Sequence, residues 1–201
     1  SQAGFADFGR PGDSPEAFDF NTLDGWPEVV TIGDHVNIWA VLDDQGQDLP
    51  APQLVMTEKR IASRGYPVAI GDINGDGKDD ICGRDNGGVT CHLSTGSGFG
   101  SAISATTWSD ASSWNDPSNF LTIQMADING DGKMDVCGKA NVRVICVLSE
   151  GNKFGTSVQG PPLDDADKWS EESHYRSISY GDFNGDRKAD LCARHHSGVV
   201  C

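Results

Sequence analysis

Short apolar runs in this chain alternate with polar residues at a spacing of two, and clusters of Asp, Asn and Gly interrupt them every few residues. Tyr66–Ile70, Leu121–Met125 and Arg176–Tyr180 each carry the alternation, which predicts half-buried β-strands. Each run leads into a nine-residue polar phrase. Behind the phrase comes a second short strand ending in cysteine, as in Asp80-Ile81-Cys82. A turn follows, such as Arg84–Gly88, and then a return strand such as Val89–Leu93 or Val144–Leu148. After a glycine turn with Phe99-Gly100 or Phe154-Gly155, a long polar connection carries Trp108 and Trp114, or Trp169. With 25 glycines and only 22% charged residues, turns and strands are expected rather than long helices, so the expected class is all-β.

The phrase occurs three times, beginning at Asp72, Asp127 and Asp182, and sets a period of 55 residues. A decayed copy starts at Asp19 with Asn21, Asp24 and Glu28, and carries Val30 and Trp39 where the other copies have cysteines. The reading is one propeller or partial propeller domain over residues 1–201, with repeats at about 14–60 (degenerate), 61–115, 116–170 and 171–201. About four strands in a period of this length predict propeller blades. A solenoid is the alternative, but its repeats are usually shorter or helical.

Composition narrows the function classes. At 201 residues the chain can bury a core. No stretch approaches the ~20 apolar residues of a membrane span, and no N-terminal signal is seen, as expected of a mature chain. The net charge of −15 argues against nucleic acid, which needs clustered Lys and Arg. Six cysteines form three pairs of one spacing: Cys82 and Cys91, Cys137 and Cys146, Cys192 and Cys201. Neighbouring hairpin strands bring Cα atoms within disulfide reach. Three local disulfides and an oxidising, extracellular location are expected.

The phrase presents hard oxygen ligands. Side chains at positions 1, 3, 5 and 9 are Asp72, Asn74, Asp76 and Asp80; then Asp127, Asn129, Asp131 and Asp135; then Asp182, Asn184, Asp186 and Asp190. Position 7 adds a backbone carbonyl from Lys78, Lys133 or Lys188. This donor set suits calcium, which takes six to eight oxygens. Three bound divalent cations would bring the net charge to about −9. The loop is not an EF-hand, because Gly83, Gly138 and Ala193 stand where that motif has its bidentate Glu. Arg187 replaces the position-6 glycine of the third copy, which predicts local strain there. The decayed copy is expected to bind nothing.

With their strand context and Phe-Gly pairs, these phrases resemble the FG-GAP (VCBS) repeats of integrin α-chain propellers. Asp-Ile-Cys-Gly-Arg at 80–84 and Gly-Val-Thr-Cys-His-Leu-Ser at 88–94 look like fungal lectins of the Psathyrella velutina type. The resemblance covers about residues 60–201 well and 14–46 weakly. It implies a seven-bladed propeller with calcium in the blade loops and glycan pockets between blades, with N-acetylglucosamine-type sugars as ligands. Four repeats fall short of seven blades. Residues 1–12 closing a four-bladed ring, a second chain or copy completing a larger one, and a fragment of a longer protein are the three arrangements considered.

No catalytic constellation is found: there is no Gly-x-Ser-x-Gly, no His-Glu-x-x-His and no phosphate loop. The chain is expected to be no enzyme. Candidate carbohydrate contacts are Trp108, Trp114, Trp169, His92, His195 and Tyr175, with the tryptophans equally readable as packing between blades. Asp164-Asp165 and Glu171-Glu172 read as solvated loop charge. The expected function is a secreted, calcium-binding propeller lectin for glycans or glycoproteins. The alternatives are the non-catalytic propeller part of a larger secreted enzyme or toxin, and a protein-binding adhesion module.

Overall fold

The structure, a computed structural model, describes the backbone strands at residues 29–32, 36–42 and 48–58, and the chain from 68 to 201 apart from Ser97. The loop of the decayed copy (Asp19, Asn21, Asp24 and Glu28), the segment 1–12, and Tyr66 and Pro67 lie outside the described residues.

Four antiparallel sheets follow one another along the chain. The first holds β1 (Val29–Ile32), β2 (Val36–Leu42) and β3 (Asp48–Glu58). In it Trp39 lies opposite Val29 rather than Val30. The second is β4 (Val68–Gly71), β5 (Asp80–Asp85), β6 (Gly88–Ser94) and β7 (Phe99–Thr106). The third repeats it as β8 (Gln124–Ala126), β9 (Asp135–Lys139), β10 (Arg143–Ser149) and β11 (Phe154–Pro162). The last is β12 (Ser179–Gly181), β13 (Asp190–His195) and β14 (Gly198–Val200). Each four-stranded sheet is ordered as in the chain, the pattern of a propeller blade. The innermost strands lie side by side, with β8 touching both β4 and β12. Gly71 permits one such approach: a Cβ there would stand 2.9 Å from Met134 Cγ.

The expected half-buried alternation is realised differently. In the middle strands β5 and β6 most positions are buried, so both faces of the sheet are largely covered. The outer strand β11 is exposed along most of its length. The run Leu121–Met125 becomes strand only from Gln124. Before it, Asp116 caps a short helix α1 (Pro117–Phe120) by accepting the Ser118 N–H at 2.8 Å, with Pro117 at the first helical position. Leu121 closes that helix, and Ile123 lies in the turn beyond it, inside the core. The next repeat places a short helix α2 (Glu172–Tyr175) at the same point, without a side-chain cap.

Cys82 faces Cys91 and Cys137 faces Cys146 directly across their hairpins. All three expected disulfides are formed. Two apolar cores fill the seams between blades. Ile73, Val89, Trp108, Trp114 and Val136 belong to one. Val144, Leu163, Trp169, Tyr175 and Ile178 belong to the next.

Candidate functional site

Each acidic loop folds on its own first aspartate. Asp72 Oδ1 accepts the N–H of Gly75 at 2.7 Å, and Oδ2 accepts that of Gly77 at 2.7 Å. Asn74 Oδ1 takes the Asp76 N–H, and Asp76 Oδ1 takes the Lys78 N–H. Gly75 and Gly77 make this possible by adopting φ of 76° and 85°. The second and third loops repeat the pattern around Asp127 and Asp182. Arg187 holds φ of 69°, the left-handed conformation of the glycine it replaces.

Position 9 is different. Asp80 is wholly buried and receives two backbone donors, Ile73 N at 2.8 Å and Ser94 N at 2.7 Å. Loss of hydration is the main force raising its pKa to about 7; the two N–H donors oppose this, and the charges of Asp72 and Asp76 add to it. Asp135 is buried alike, bonded to Ser149 N and Ile128 N, and lies at about 6 for the same reasons. In the third loop Asn184 Nδ2 reaches Asp190 Oδ1 at 3.3 Å, while Phe183 N donates to Oδ2.

The first two loops therefore each hold two carboxylates in electrostatic contact with one buried carboxylate that only amides stabilise. Among the described residues no three His, Cys, Asp or Glu side chains are gathered into a ready metal cage. Asp72 and Asp76 are turned onto amides and, for Asp76, onto Lys78 Nζ at 2.6 Å. The donor chemistry fits a hard divalent cation: all oxygen, three negative charges, and one of them buried without a countercharge.

The seams between blades hold the other candidates. Trp108 and Trp114 stack with centroids 4.1 Å apart and planes within 3°. Both are buried in the core, as are Trp169 and Tyr175. His92 is also buried, its Nδ1 bonded to the Gly100 carbonyl at 3.2 Å. In the second seam Trp169 stacks on His195 at 5.2 Å. His174 and His196 gather around His195, at 5.2 and 3.8 Å between ring centroids. His195 is half-buried and His196 exposed, so this aromatic and polar group reaches the surface. At the same positions one period earlier, Asn119 Nδ2 donates to Asn141 Oδ1 at 2.6 Å.

One repeated feature was missed by the sequence reading. Arg84 and Lys139, 55 residues apart, are fully buried cations. Arg84 donates to the Trp108 carbonyl and pairs with Asp110. Lys139 Nζ lies 2.6 Å from Asp165 Oδ1. Asp165 is thus no solvated loop charge as expected, but the partner that makes burial of Lys139 tolerable. Asp164 caps the turn Asp165–Asp167, whereas Glu171 and Glu172 are exposed, as read. The available signal was the period itself, which puts Arg84, Lys139 and Arg194 at one position and Asp110 and Asp165 at another.

Comparison with known proteins agrees with this architecture. The family model described as FG-GAP-like repeat matches residues 19–83 and 72–137. A search of curated proteins finds no sequence relative. Among solved structures, an Agrocybe aegerita lectin, described as recognising non-reducing terminal N-acetylglucosamine, is similar with a TM-score of 0.71 and 24% identity. That likeness covers 88% of this chain and 45% of the lectin chain. The Tc holotoxin pore of Photorhabdus luminescens is similar with a TM-score of 0.60 and 21% identity, over 87% of this chain and 8% of that one. The chain therefore spans under half the length of the proteins it resembles, and identities this low speak to fold alone.

Proposed function

The chain belongs to the FG-GAP-like repeat family, and from that premise we propose that it is a calcium-stabilised, non-catalytic propeller module that binds glycans at the seams between its blades. The observation that carries the glycan reading is the second seam. There buried Trp169 and His174 pack against half-buried His195 and exposed His196, so that an aromatic cluster with ring nitrogens opens to the surface through the two histidines. Sugar recognition needs both, an apolar face and polar groups that fix orientation. N-acetylglucosamine-type sugars are the first class to test, because the Agrocybe lectin is described as recognising one. Three disulfides support an extracellular setting, and no described helix is long and apolar enough to cross a membrane.

Asp72, Asn74, Asp76 and Asp80, with the carbonyl of Lys78, would hold calcium in the first loop; their counterparts would do so in the second and third. The ion supplies the countercharge that Asp80 and Asp135 lack, and so fixes the loops that join the strands. Glycan-array binding with calcium present tests the function. Binding lost on Trp169→Ala or His195→Ala is the expected result, and no binding to any sugar overturns it.

The second reading is the non-catalytic propeller part of a larger secreted toxin or enzyme, or an adhesion module. The likeness in fold to a stretch of the Photorhabdus luminescens Tc holotoxin pore, over 87% of this chain and 8% of that one, supports the toxin case. The mass of the natural protein, intact and in solution, separates these cases.

A further inference from the structure

The buried carboxylates of the first two loops are joined by a chain of hydrogen bonds. Ile73 N donates to Asp80 Oδ2 at 2.8 Å. Ser149 Oγ donates to the Ile73 carbonyl at 2.7 Å, across 76 residues of sequence. Ser149 N donates to Asp135 Oδ1 at 2.8 Å. Asp80, Ile73 and Asp135 are fully buried and Ser149 is 3% exposed, so water does not compete along the path. A second link runs beside it, from Met134 N to the Asp72 carbonyl at 2.8 Å. Met134 lies between Lys133 and Asp135, both candidate ligands of the second loop. The stem of Lys133 also covers Gly75 of the first loop.

We propose that Ser149 is a positioning residue that couples the two loops, so that a divalent cation in one raises the affinity of the other. The inference rests on the calcium reading above. An ion in the first loop orders Asp80 and therefore Ile73. The Ile73 carbonyl then fixes the Ser149 hydroxyl, and the Ser149 amide holds Asp135 in its ligating orientation. The second ion meets a loop whose ordering has already been achieved, which is positive cooperativity through preorganisation. Between the second and third loops the backbone link recurs, from Ala189 N to the Asp127 carbonyl at 2.7 Å.

Hydrogen exchange during a calcium titration, read separately for residues 72–80 and 127–135, tests this. Asp76→Ala, which cripples the first loop, should move the calcium midpoint of the second loop upward about 5-fold or more. The shift should vanish in a Ser149→Ala background and persist in Ser149→Thr, which keeps the hydroxyl. Reciprocity requires Asp131→Ala to shift the first loop by the same factor, a measurement that does not depend on the Ser149 variants folding. A second-loop midpoint indifferent to Asp76→Ala overturns the coupling while leaving calcium binding intact. A shift of equal size in Ser149→Ala overturns the role of Ser149. If calcium protects neither loop in any variant, the calcium reading itself fails and this inference with it.

Discussion

Gly138 packs against Trp114 so closely that a Cβ on it would stand 2.9 Å from the indole Cη2, and 3.0 Å from Trp108 Cζ3. One period on, Leu163 takes the place of Trp108 and buried Ala193 that of Gly138. The smaller partner and the added methyl occur together, as a seam packed to constant volume requires. Gly138→Ala should destabilise the protein by about 1–3 kcal/mol, the usual cost of overpacking. Adding Trp108→Leu should recover part of it. A denaturant double-mutant cycle without that recovery would show that the two positions do not share their space.

The buried cation of the next seam gives a second expectation. Asp165→Asn leaves Lys139 Nζ in the core without a countercharge. Asp165 is itself one-third exposed, so the cost should be about 2–3 kcal/mol, below the 3–5 of a fully buried pair. Replacing Lys139 with Met together with Asp165→Asn should recover much of the loss. Equal unfolding midpoints for wild type and Asp165→Asn would mean that solvent already screens the pair.

Acid should favour the metal-free fold. Asp80 at about 7 and Asp135 at about 6 lie above the ordinary 3.8, so the folded state holds protons that the unfolded chain has released. Through these two groups, stability without metal is greatest below about pH 4 and falls as pH rises toward 7. Calcium competes with those protons, so its midpoint should rise as pH drops from 7 to 5. Thermal melts across pH, with chelator and with calcium, measure both. A metal-free melting temperature that climbs between pH 4 and 7 contradicts the sign.

At neutral pH, chelation should lower the melting temperature markedly, because binding to the folded state alone stabilises it by mass action. Identical melts before and after verified metal removal would dismiss calcium as a structural component.

The third loop carries a conformational cost at Arg187, whose φ of 69° suits glycine. Arg187→Gly should stabilise the protein by about 1 kcal/mol, within the range for a left-handed residue with a Cβ. A loss of stability would mean that the Arg187 side chain contributes more than its backbone costs.

The sequence made the repeats, hairpins, disulfides and acidic loops readable because each depends on residues within one period. Asp72 meets Gly77 within the loop, and Cys82 meets Cys91 across one turn. What escaped it joins one repeat to the next. Lys139 finds its countercharge 26 residues on, in Asp165 at 2.6 Å. Ser149 ends β10 and bonds Ile73 of the preceding blade. Leu121–Ile123 alternated like a strand, but the Asp116 cap drew the chain into a helical turn first. Periodicity identifies a strand without saying which neighbouring sheet will cover it.

The three disulfides each close within one hairpin, nine residues apart. No disulfide therefore crosses from one repeat to another. A repeat can be duplicated or deleted and every remaining cysteine still meets its own partner. During synthesis each bridge can form as soon as its hairpin emerges, without waiting for later repeats. The same arrangement allows the number of blades to vary through recombination without scrambling the oxidative pairing.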